Sequence, residues 1–95
     1  MKSYLIRIGN GNDGTYPCAV VQAPDAFAAL RKGTRKFGKP WDVRHRDAQG
    51  DDDNASLCSY VRPIYGDACR WVMVAEALTA EDATYYTNAH KLPAL

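Results

Sequence analysis

The chain has 95 residues, 46% of them hydrophobic and 24% charged, with a formal net charge of +1 and three cysteines. That length makes one small domain and excludes a deep substrate cavity, because so short a chain buries only somewhat more than about 60% of its extended surface. The near-zero net charge does not imply bulk attraction to nucleic acid or membrane, and three cysteines without C-x-x-C spacing point to a reducing compartment.

Met1 to Gly9 shows no secretory pattern. The longest apolar runs, Ala26 to Leu30 and Trp71 to Ala75, fall far short of the ~20 residues of a membrane span. A cytoplasmic protein without membrane contact is the expectation. Charge is unevenly distributed. From Arg31 to Arg46 there are seven Lys or Arg against the single Asp42, and then Asp47 and Asp51-Asp52-Asp53 follow.

Tyr4 to Ile8 alternates as a strand, with Tyr4, Ile6 and Ile8 on one face and Arg7 on the other. Gly9 to Gly14 is a turn, since glycine and asparagine tolerate positive φ. It lacks the following helix and the Lys-Ser/Thr pair of a phosphate-cradling loop. Tyr16 to Val21 reads as a second strand. Ala23 to Pro40 then reads as one helix of about four turns, opened by Pro24 and Asp25 and stopped by Gly38, Lys39 and Pro40. Phe27, Leu30, Thr34 and Phe37 recur at helical spacing as the inner stripe, with Arg31, Lys32, Arg35 and Lys36 between them and Lys39 continuing the series. Gly33 argues against helix on propensity.

Trp41 to Arg46 alternates as a third strand, with Trp41, Val43 and His45 on one side and Asp42, Arg44 and Arg46 on the other. Ala48 to Ser56 reads as a polar loop. Its three aspartates lack the D-x-D-x-D-G spacing and closing Glu of a calcium loop. Leu57 to Ile64 is a fourth strand weakened by Pro63, and Tyr65-Gly66-Asp67 a turn. Cys69 to Ala75 is a fifth, near-continuously apolar strand of the kind found centrally in a sheet. A helix over 72–78 competes, because Ala75 to Leu78 favours helix intrinsically. Thr79 then caps a short helix ended by Pro93, with Ala83, Tyr86 and His90 on one face. The expected fold is therefore α+β: an antiparallel sheet of four or five strands, one main amphipathic helix on one face and a short C-terminal helix, in the order β-β-α-β-β-β-α.

No catalytic signature stands out. Cys18, Cys58 and Cys69 with His45 and His90 supply the raw material for a cysteine nucleophile or a zinc site. The cysteines, however, fall in strands, without a helix N-terminus to lower a pKa or paired short ligand spacings. Glu81 and Asp82 are adjacent on a helix, point about 100° apart and suit a helix start better than an acid/base pair. Basic residues with nearby aromatics carry more. Arg31, Lys32, Arg35, Lys36, Lys39, Arg44 and Arg46 form the candidate partner-binding surface. Trp41, Tyr60 and Tyr65, with Asp51, Asp52 and Asp53, form a secondary one. No metal or cofactor is expected.

Met1 to Ile8, the Ala-rich helix with Arg31, Lys32, Arg35 and Lys36, and the strands after it resemble small phage-encoded anti-CRISPR proteins, particularly inhibitors of type I effector complexes. The resemblance implies a stoichiometric blocker that occupies a host nucleoprotein complex where guide RNA or target DNA would bind. It carries over no catalytic residue. Many such inhibitors are strongly acidic DNA mimics, and this chain is not. A non-enzymatic interaction protein is the leading expectation. A small nucleic-acid-binding module using the basic helix face comes second, and a cysteine-dependent enzyme third.

Overall fold

Three apolar-rich strands take the interior of a five-stranded sheet. The computed structural model describes residues 1–10, 14–38, 45–61 and 69–95, with the backbone alone at 45–47, 59–61 and 69–70. Its elements are β1 (Lys2–Asn10), β2 (Gly14–Ala23), α1 (Ala26–Lys36), β3 (His45–Gly50), β4 (Asn54–Val61), β5 (Cys69–Leu78) and α2 (Ala80–Ala89). The strands form one sheet in the order β2-β1-β5-β4-β3, with every neighbouring pair antiparallel. The protein is an α+β fold of the expected element order.

Registers across the sheet assign its two faces. Tyr4 pairs with Val21, Ile6 with Ala19 and Ala75, and Ile8 with Met73. Ala75 and Met73 in turn face Ala55 and Leu57. These residues make one apolar layer, and α1 closes it with Ala26, Ala28, Ala29 and Leu30. The opposite face carries Leu5 between Val20 and Glu76, and Cys58 beside Val72. α2 lies against β1, β2 and β5. The alternation of Trp71 and Met73 against Val72 and Val74 thus holds, and β5 is the middle strand.

The helical alternative for 72–78 fails. Ala75 to Leu78 stay extended because each pairs with β1, from Ile6 to Ser3. Two ladders of sheet hydrogen bonds outweigh a helix preference of a few tenths of a kcal/mol per residue.

The expected strands at Tyr4, Tyr16 and Cys69 all run longer than read, and three further boundaries bear on the site. α1 is shorter than Ala23 to Pro40: Ala23 ends β2, and Asp25 is the N-cap, its carboxylate accepting from the Ala28 N–H at 2.7 Å. The third strand is described over 45–50, so it takes in the first third of the expected polar loop, while residues 41–44 of the expected strand lie outside the described residues. As an outer strand pairing with β4 alone, β3 needs no apolar partner on each face, so Ala48, Gln49 and Gly50 stay exposed. β4 begins at Asn54 rather than Leu57, while Arg62, Pro63 and Ile64 lie outside the described residues.

What remains of that loop is a tight hairpin turn at 51–53. Gly50 enters it at φ +130, where an L side chain is disfavoured. Asp51 Oδ1 accepts from the N–H groups of Asp53 at 3.1 Å and Asn54 at 2.8 Å. The Asp52 carbonyl takes both the Tyr4 hydroxyl at 3.0 Å and the Ala26 N–H at 3.1 Å. The hairpin is thereby tied to the first turn of α1.

The inner face of α1 is also rotated from the expected stripe. Its buried residues are Ala26, Ala28, Ala29, Leu30 and Gly33, whereas Phe27, Thr34 and Phe37 are half-buried. Gly33 is what lets the helix approach the sheet: a Cβ there would stand 2.8 Å from Met73 Sδ and 3.5 Å from Ile6 Cδ1. The residue that weakens the helix on propensity is required by its packing.

Candidate interaction surface

Turning α1 by one position redistributes its cations. Arg31, Arg35 and Lys36 are exposed, while Lys32 is half-buried and donates from Nζ to the Gln22 carbonyl at 2.6 Å. Lys32 is therefore bound to the β2 side of the fold, with Lys36 one turn after it, while Arg31 and Arg35, also one turn apart, share the other flank. Arg35 and Lys36 occupy the last turn of α1, where cations complement the negative end of the helix. The opposite end carries Asp25 and the hairpin aspartates, so the helix is flanked by acid at its start and base at its finish.

Beside Arg31 an apolar groove opens between α1 and the β3–β4 end of the sheet. Phe27, Leu30, Arg31, Thr34, Ala48 and Leu57 line a cavity of about 230 Å³. The charged residues were visible in the sequence; the groove was not. Phe27 and Thr34, assigned to the core stripe, are its rim, and Ala48 belonged to an expected loop.

Of the other candidates, Arg46 lies on β3 opposite Ser59, and Tyr60 on β4 opposite His45. Lys39, Trp41, Arg44 and Tyr65 lie outside the described residues. The structure thus brings Arg31, Arg35 and Lys36 together on one helix. Asp51 and Asp52 are turn-forming residues, and Asp53 makes an exposed ion pair with Lys2 at 3.5 Å. Among the described residues, no group of three or more His, Cys, Asp or Glu is arranged to hold a metal ion.

The cysteines show little sign of activation. Cys18 is the extra residue of a bulge, since Ala19 pairs with Ile6 and Pro17 with Arg7. Burial pushes its thiol above the ordinary value, against the opposing effects of the Ile8 backbone hydrogen bond and the Arg7 charge. Cys58 is buried, and the side chain of Cys69 is not described. A raised thiol pKa disfavours the thiolate that nucleophilic chemistry requires. No helix among the described residues is long and apolar enough to cross a membrane.

Compared with protein families, curated proteins and solved structures, the chain matches none significantly.

Proposed function

We propose that the protein is a non-enzymatic binding protein that engages an anionic partner surface through the outer flank of α1. The observation that carries this reading is exposed Arg31 in the lining of the groove with Phe27, Leu30 and Leu57, with exposed Arg35 one helical turn further along the same flank. An apolar centre with a charged rim is the usual anatomy of a protein interface, and arginine is enriched there. The groove supplies burial and the cations supply register and rate of encounter.

The narrower reading is an inhibitor of a host nucleoprotein complex of the CRISPR effector type. It is supported by the sequence resemblance together with this cationic rim, which suits either acidic side chains or phosphates. Three exposed cations on a chain of net charge +1 favour a protein-held anionic surface over free nucleic acid.

The test is affinity capture from bacterial lysate with the parent chain and an Arg31→Glu/Arg35→Glu/Lys36→Glu variant, at two salt concentrations. Capture of a nucleoprotein complex by the parent and its loss in the folded variant is the expected result. Equal capture by both would remove the α1 flank from the interface. Binding to free oligonucleotide that weakens steeply with salt would favour the nucleic-acid module instead.

A further inference from the structure

The outer edge of β2 carries a very short additional strand. Pro93 to Leu95 run parallel to it: Val20 N–H donates to the Pro93 carbonyl at 3.0 Å, and Leu95 N–H to the Val20 carbonyl at 2.8 Å. Gln22 N–H donates to the Leu95 main-chain oxygen at 3.3 Å. Leu95 is half-buried against the α1-side core. Ala94 lines a cavity of about 270 Å³ with Val20, Ala83 and Thr87, between α2 and the sheet. In a parallel ladder the next acceptor along β2 is the Gln22 carbonyl. Lys32 Nζ holds that position at 2.6 Å. The edge groups of Val20 and Gln22 are met three times by the strap and once by a cation on a flexible stem.

This closure is light compared with the other side of β2, which pairs with β1 along its whole length. Pro93 and Ala94 are exposed, and no residue of α2, the element that delivers the strap, is buried. The chain turns into the strap through Lys91 at φ +52, a left-handed conformation that disfavours a residue bearing a side chain. An edge strand with open hydrogen-bonding groups is a template for another chain, and short covers are how folds protect it.

We propose that the β2 edge is a strand-docking site held shut by the C-terminal strap. Its partner is an extended protein segment that runs parallel to β2, sets an apolar residue in the place of Leu95 and follows it with an acidic one. The direction and the apolar position are those the strap itself occupies. The acidic position follows from Lys32, which stands where the next ladder bond would form. Main-chain bonds supply the affinity, and the Leu95 socket and Lys32 supply the selectivity, as in other strand-addition complexes. Tethering gives the strap a high effective concentration, so only a segment that does better than three hydrogen bonds and one leucine displaces it. This site lies on the β2 side of α1, apart from the groove beside Arg31, and stands or falls independently of it.

The experiment uses the full chain and a Leu95→Asp variant, which places a charge in the socket. The probe is a fluorescein-labelled peptide copying residues 90–95 with a glutamate appended, and the control peptide carries Asp in place of the leucine that copies Leu95. Leu95→Asp is expected to bind the probe at least about tenfold more tightly than the parent, and neither protein is expected to bind the control. In the parent, the Val20 and Gln22 amides are expected to exchange with solvent at least about tenfold faster than those of β1. Probe binding no tighter than the parent's would overturn the proposal. If circular dichroism shows Leu95→Asp unfolded, the exchange measurement decides. Val20 and Gln22 amides as protected as those of β1 would overturn the proposal, and faster exchange would support it.

Discussion

The two faces of the sheet are covered by helices of nearly equal length that are held in different ways. α1 buries Ala26, Ala28, Ala29, Leu30 and Gly33, and its small side chains bring the backbone down onto Met73 and Ile6. α2 buries nothing and rests over Leu5 and Val20 with a cavity beneath it. It lies against β1, β2 and β5 without fully burying a residue of its own, and its ends are held by the Thr79 cap and the strap on β2. Close packing makes α1 part of the global fold, whereas a helix that fully buries none of its own residues opens locally. The anionic-partner surface proposed above is thus on the rigid side and the strand site on the yielding one.

Overfilling each face should expose the difference most sharply. Gly33→Leu places several atoms where even a Cβ meets Met73 Sδ, and should cost about 3 kcal/mol or more by urea denaturation. Ala83→Leu, pointed at the cavity under α2, should change stability by no more than about 0.5 kcal/mol in either direction. Similar costs at the two sites would mean that α2 is packed as tightly as α1.

Removing the caps is the second way to break the comparison. Asp25→Ala deletes the acceptor for Ala28 N–H and should lower global stability by about 1 kcal/mol. Thr79→Ala deletes the equivalent acceptor for Asp82 N–H. Its effect should appear as faster amide exchange confined to α2, with the denaturation midpoint nearly unmoved.

Tyr4 sharpens the account of the rigid side. It is fully buried, and its hydroxyl joins β1 to the hairpin turn through the Asp52 carbonyl. Tyr4→Phe should cost about 1 kcal/mol at neutral pH, the usual net value of one hydrogen bond. Burial, the dominant cause, raises the Tyr4 pKa. For a group with a raised folded pKa, the stability contribution is whole below the unfolded value, near 10, and is lost as pH climbs through the folded one. Unfolding midpoints measured from pH 8 to 11 should therefore fall more steeply for the parent than for Tyr4→Phe.

How much of this was legible beforehand follows from which interactions are local. Element order was legible because alternation in β1 and β5 and the Thr79 cap are written in adjacent residues. β3 runs on through Ala48, Gln49 and Gly50, which read as loop because those residues carry no alternation, and its register is set by β4, which no local pattern encodes. The rotation of α1 was hidden for a related reason. Phe27 and Phe37 are the larger side chains, yet a helix lying close on a sheet buries its smallest ones. Only Met73, far along the chain, explains Gly33. Of the basic surface, the charges were legible and their partners were not.

Lys32 and Arg35 carry the smallest expected effects and divide the two sides of α1 between them. Both are cations three residues apart, and the sequence pattern treats them as equivalent. In the structure Lys32 Nζ is held by the Gln22 carbonyl at 2.6 Å, whereas Arg35 is exposed. Lys32→Met keeps the apolar stem and deletes the donor, so it should lower stability by at most about 1 kcal/mol, since the bond faces solvent. It should also speed amide exchange at Val20 and Gln22, because the acceptor beyond the strap is left to water. Arg35→Glu puts an acid at the negative end of α1, a cost of about 0.3–1 kcal/mol that salt screens away. Its amides at Val20 and Gln22 should be untouched. Melting at low and high salt with exchange at those two residues separates the variants. The same exchange response from both would mean that α1's cations act on the β2 edge together, and would dissolve the division between its two flanks.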